Sequence, residues 1–281
     1  MPAAFTALMT ATAAAAPPDR VRRAMGAYIA ATIVGGFAGR AAGGFLTTAF
    51  GWQAPFLLLA ALLVGNVVLA SRLPEGGAPA FSRPRAAVLR AVVAKGHFLF
   101  SYLTIFCVFF VFAGVLNVLP FRLEAIEPGI READIALVYS GYMIGIAAAL
   151  GASRVSALLG GERRALAAAL AVYLAATAGF AVPSVTVLLA NVFLFSIGMF
   201  AVHSLLSALV NQRAAEARPV VNGMYIAVYY AGGSLGSWLP ALAFGTIGWN
   251  ALLAAMAAAV LAALWLTRYI FRADREEPGN G

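Results

Sequence analysis

The chain has 281 residues, 63% of them hydrophobic and 11% charged, with a formal net charge of +8 and a mean hydropathy of +0.90. Soluble domains carry about 25% charged residues, so this composition excludes a water-soluble globular fold and makes lipid the solvent. In a soluble protein the positive charge would suggest a nucleic-acid partner; here its placement makes it a topology signal, and no nucleic acid is expected.

A helix needs about 20 apolar residues to cross the hydrocarbon. Residues 2–16 are apolar but too short to cross, and without a basic segment before them they do not form a signal peptide; they read as the tail of a helix. Full spans are predicted at about 24–50, 51–72, 97–120, 134–153, 164–182, 184–209, 221–247 and 249–270. No ten-residue alternation of the kind that builds membrane strands is present. The fold class is therefore all-α membrane protein with eight full spans. Between the second and third spans, residues 83–95 set arginines among Ala, Val and Leu, which fits either an amphipathic interfacial helix or a solvated linker.

The loops set the orientation. Arg20, Arg22 and Arg23, the connector with Arg72, Arg83, Arg85, Arg90 and Lys95, then Arg154, Arg163 and Arg164, Arg213 and Arg218, and Arg268, Arg272 and Arg275 all fall on one side. The alternate loops are uncharged or, around Glu124, Glu127, Glu132 and Asp134, acidic. The positive-inside rule makes the basic side cytoplasmic, with a cytoplasmic C-terminus in the inner (plasma) membrane.

An internal repeat organises the spans. Gly26 to Gly39 aligns without gaps on Gly223 to Gly236, sharing glycines and a Tyr-Ile-Ala, and the same offset of 223 − 26 = 197 carries Gly51-Trp52 onto Gly248-Trp249. The two copies lie six spans apart in the same orientation, so the unit is six helices repeated in parallel. The boundaries that follow are 1–73 for the later part of a first unit, 74–96 for a cytoplasmic linker, 97–272 for a complete second unit and 273–281 for a tail. The repeat places the start of the first unit roughly 100 residues before Met1, so the chain is expected to open inside that unit's fourth helix.

Gly26-(eight residues)-Gly35-(three)-Gly39-Arg40-Ala-Ala-Gly43-Gly44 resembles the antiporter motif of the major facilitator superfamily, with Arg40 in place of the family's proline. Together with Met199 to Ser204 and the run from Tyr225 through Tyr229 and Tyr230 to Ser234, it is similar to the acriflavine-sensitivity branch of that superfamily. The resemblance implies two six-helix bundles and export of small organic molecules driven by proton entry. It also implies a basic loop motif after the span at 134–153, where Gly151, Arg154, Gly161, Arg163 and Arg164 keep the charge pattern and the motif's aspartate is absent.

Several side chains are candidates for function. Gly35, Gly39 and Gly43 recur every four residues on one helix face, either for tight packing or to seal a cavity during alternating access. Arg40 falls about 24 Å along its helix, where a charge costs at least ~2.5 kcal/mol; it either pairs structurally, serves substrate or coupling, or snorkels outward. His203 is either a packed core residue or a proton-coupling group, since its ordinary pKa is near physiological pH. Asn117, Tyr225, Tyr229 and Tyr230 have polar tips that either line a cavity or pack. Tyr225 and Tyr229 share a face, with Tyr230 turned by about 100°. Cys107 reads as a packed, inert thiol, and His97 as a headgroup neighbour. Two distant histidines, one cysteine and no buried carboxylate pair leave no metal site or nucleophile–base pair, so neither an enzyme nor a cofactor is expected. The leading expectation is a monomeric, proton-coupled exporter of small amphipathic organic compounds. The alternatives are a non-transporting membrane remnant or interaction partner, and an importer of a small organic anion.

Overall fold

The computed structural model describes residues 2–72, 86–130, 140–214 and 218–272. Every regular element among them is helical: α1 (Pro2–Ala15), α2 (Val21–Phe50), α3 (Ala54–Ser71), α4 (Ala86–Ala94), α5 (Gly96–Ile126), α6 (Tyr142–Leu158), α7 (Glu162–Gly179), α8 (Val185–Arg213) and α9 (Arg218–Ile270), with a 3-10 turn at Pro18–Arg20. α9 is two helices meeting at Gly248, whose φ of 75° and ψ of 172° leave the helical region. Among the described residues, α5, α8 and α9 are long and apolar enough to cross a membrane.

Side-chain contacts tie the ends of α2, α5, α7, α8 and α9 into two levels. At one end Arg22 pairs with Glu162 at 2.8 Å, Arg213 donates to the Ile270 carbonyl at 3.3 Å, and Phe100 stacks on Tyr269. At the other end the Trp249 indole donates to the Phe180 carbonyl at 2.8 Å and Arg122 lies over the same indole. These are called the basic end and the elbow end. The acidic-loop residues Arg131, Glu132 and Asp134, the connector from 73 to 85 and the tail from 273 lie outside the described residues.

The most extensive packing joins α5 to α9. Small residues allow it, because burial in lipid gives helices little hydrophobic reason to associate and close backbone approach must supply the attraction. Gly232, Gly233 and Gly236 of α9 sit against Phe106, Phe109 and Phe110 of α5, and a Cβ on Gly114 would meet Pro240 Cγ at 2.8 Å. Three polar side chains inside the bundle donate to carbonyls of neighbouring helices: Tyr173 Oη to Val108 O at 2.9 Å, Tyr102 Oη to Val221 O at 3.1 Å, and Asn191 Nδ2 to Ala176 O at 2.7 Å. With no water to accept these protons, each such pair removes a desolvation cost.

Two predicted bounds shift. The third span continues beyond residue 120 to Ile126, with Pro120 inside it; the proline forfeits one backbone bond without ending the helix, which closes with Glu127 N donating to Leu123 O. The span predicted at 134–153 is helical from Tyr142 to Leu158 in the described residues. As a result Gly151 and Arg154, expected in a basic loop, are helical, and the turn itself is confined to residues 159–161.

Candidate functional site

Three helices enclose an open cavity of about 310 Å³ toward the middle of the bundle. α5 presents Phe109, Phe112, Ala113, Leu116 and Asn117, whose spacing of three and four residues is one helical face. α9 presents Tyr230, Gly233, Ser234 and Ser237 on the same principle, and α6 adds Tyr142. Phe112 meets Tyr142 edge-on at 5.3 Å, and Tyr230 meets Phe109 edge-on at 6.4 Å. Gly233 is required here: a Cβ at that position would run into the Phe109 ring.

On the basic side of this cavity lies a second cluster. His203 Nδ1 is 2.8 Å from Tyr225 Oη, which is also 3.3 Å from the His203 carbonyl. The phenol has one proton. It either donates that proton to the ring nitrogen, or accepts from a protonated Nδ1 and donates to the carbonyl. Tyr229 stacks on the histidine with centroids 4.8 Å apart, and its ring also lies parallel to Phe109 at 3.9 Å. Tyr229 therefore stands between the histidine and the cavity wall. His203 and Tyr225 are buried.

Closer still to the basic end, α1 and α2 attach to the rest of the molecule. Asn222 Nδ2 donates to Asn211 Oδ1 at 2.9 Å and lies 3.1 Å from Thr10 Oγ1 of α1, while Asn211 Nδ2 is 3.6 Å from the Met25 sulfur of α2. Both asparagines are fully buried. A Cβ on Gly26 would sit 2.6 Å from the Ala149 carbonyl of α6. Met25, Ile29, Ala30 and Ile33 are buried on this contact, whereas no described residue of α2 beyond Ile33 is. α2 thus meets α6 and α8 at the basic end and parts from them toward the elbow end.

The structure brings Asn117 and Tyr230 together in the cavity and groups His203, Tyr225 and Tyr229 beside it. Gly26 makes the tight contact with α6, while Gly35, Gly39 and Gly43 face open space. Arg40 and Gly44 lie in α2, but their side chains lie outside the described residues. Gly151 has no close neighbour and Gly161 holds a positive φ of 127°; Arg154, Arg163 and Arg164 are exposed. Sequence reasoning missed Tyr142, Ser234 and Ser237. The serines were signalled by the spacing Tyr230, Ser234, Ser237 at i, i+4 and i+7, one helical stripe. Asn211 and Asn222 were visible only as amides at the ends of apolar runs.

Antiparallel apolar helices, hydrogen-bonded internally and surrounding a cavity with a few polar groups, define a multi-pass α-helical membrane protein. The family model of the Major Facilitator Superfamily matches residues 1–237 and 125–281. The chain belongs to that superfamily, whose members are secondary transporters rather than enzymes. No curated protein matches the sequence.

Proposed function

We propose that the chain carries the cavity and coupling elements of a proton-driven exporter of small amphipathic organic compounds. One observation supports this above the others. A cavity with a few hydrogen-bonding groups abuts, through the single ring of Tyr229, a buried histidine that shares a proton site with Tyr225. Substrate in the cavity presses on Phe109; a proton on His203 changes the Tyr225 bond and the stack on Tyr229. Each event biases the other through a shared element, as coupling requires. The basic end is taken as cytoplasmic by the charge rule. The arrangement then corresponds to an outward-facing form, held at the cytoplasmic end by Gly26, Met25, Asn211 and Asn222 and parted outside. Residues 97–272 form one six-helix bundle and the earlier helices belong to a second. The two elbow glycines support this: Gly51 at φ 83°, ψ 169° and Gly248 at φ 75°, ψ 172° repeat one unusual geometry at the predicted offset.

The test is extrusion from proteoliposomes with and without an imposed proton gradient. The expected result is gradient-dependent extrusion that His203→Gln uncouples while passive exchange continues. Extrusion indifferent to the gradient overturns the coupling; no movement of any tested compound favours a non-transporting chain.

A further inference from the structure

Resting on the reading of the cavity as the transport site, we infer that its substrate is an uncharged, flat aromatic compound with a hydrogen-bonding group on its edge. Among the described residues, no lining side chain carries a formal charge. A charged ligand entering such a wall loses hydration and gains no counter-ion, which is costly in a low-dielectric site. Ring faces do attract cations, but here the Phe109 face is covered by Tyr229 at 3.9 Å and 6°, and Phe109 also takes the Tyr230 ring edge-on.

The shape points the same way. Tyr142 and Tyr230 are half-buried and flank a wall floored by Gly233, a glycine that keeps one side of the space flat. Flat apolar ligands gain from offset or edge contacts with such rings beyond the burial of area. The polar groups are displaced to one margin. Asn117, Ser234 and Ser237 are all exposed and lie toward the elbow end: by helical rise Asn117 is roughly 12 Å beyond Phe109, and Ser234 and Ser237 are roughly 6 and 10 Å beyond Tyr230. Asn117 both donates and accepts, as do the serine hydroxyls. A ligand with its rings against the tyrosines and one hydroxyl, carbonyl or amide at its edge satisfies both margins. A hydrocarbon satisfies only one and leaves polar groups to be stripped of water.

Binding of four probes to the full chain in lipid nanodiscs tests this, with protein-free discs as the blank. The probes share one ring system: 2-naphthol, 2-methylnaphthalene, 2-naphthoate and 2-naphthyltrimethylammonium. The expected order places 2-naphthol tightest. Tyr230→Ala should weaken it about five- to tenfold, and Asn117→Ala should weaken 2-naphthol but leave 2-methylnaphthalene unchanged. Unfolding temperatures of the variants show whether each is folded, and Ser237→Ala, at an exposed position, serves if Tyr230→Ala is not. Tighter binding of the naphthoate or the ammonium, still lost with Tyr230→Ala, overturns the substrate class and keeps the cavity. If Arg40→Gln removes the naphthoate binding, an anionic substrate replaces the proposed one. Binding of every probe that ignores Tyr230, Asn117 and Ser237 overturns both the class and the cavity as the site.

Discussion

α2 and the first arm of α9 carry one glycine-rich sequence pattern in different surroundings. In α9, Gly232, Gly233 and Gly236 are buried against α5, and a methyl group at any of them would strike backbone or ring. In α2 the matching stretch carries Gly35 and Gly39, where an added Cβ meets nothing within 4 Å. Gly26 of α2 is under comparable pressure, against Ala149 near the basic end. A small-residue face, then, specifies the capacity for close approach rather than the approach itself. In α9 that capacity is used for packing on α5; in α2 an added Cβ at Gly35, Gly39 or Gly43 meets nothing within 4 Å.

Substitutions that fill each glycine break or sharpen this contrast. The largest effect is expected at Gly236, where a leucine would be driven into the Phe110 backbone; overpacking of this kind costs about 1–3 kcal/mol or more. Gly39→Leu, its counterpart in α2, should leave the thermal midpoint in detergent nearly unchanged. Equal damage at both positions would erase the distinction. Gly26→Val should be intermediate, about 1–2 kcal/mol, and should loosen α2 from α6 without unfolding α5 and α9, which limited proteolysis would detect.

The elbows provide the control in which the two stretches should agree. Gly51 and Gly248 occupy nearly the same positive-φ, extended-ψ region that side chains disfavour by about 1–3 kcal/mol. Gly51→Ala and Gly248→Ala should therefore shift the midpoint by similar amounts, and a large difference would mean that the two turns are not structural equivalents. The smallest effect belongs to the Arg22–Glu162 pair. Its side chains are 40% and 20% exposed, so a double-mutant cycle with Arg22→Gln and Glu162→Gln should give about 0.2–1 kcal/mol, falling with salt.

Much of this was readable in the sequence because lipid imposes a strong constraint. Apolar runs located α2, α3, α7, α8, both arms of α9 and the start of α5 to within a few residues, and the repeated Gly-Trp marked both elbows. The division of Tyr225 and Tyr229 from Tyr230 also follows from helical spacing, because residues four apart share a face and adjacent ones do not. What spacing does not encode is which helix lies opposite. Arg22 and Glu162 are 140 residues apart, and the contact of Asn222 with Thr10 spans 212, so neither pairing has a local signature. The missed Tyr142 sits at the first turn of α6, where an aromatic residue reads equally well as an interface anchor. The end of α5 was missed for a related reason: the cost of Pro120 is local, whereas the packing that carries the helix on to Ile126 is tertiary.

The most direct test of the account is a pair of distance measurements between spin labels on the full chain in nanodiscs. One pair, at Ala38 and Met143, reports the parted elbow side of α2 and α6; the other, at Arg23 and Arg154, reports the joined basic end. On acidification the account predicts opposite changes, the elbow pair shortening as the basic pair lengthens, with His203→Gln abolishing both. Two distances that stay fixed, or that lengthen together, would contradict the proposal that α2 moves while its counterpart, the first arm of α9, stays packed on α5.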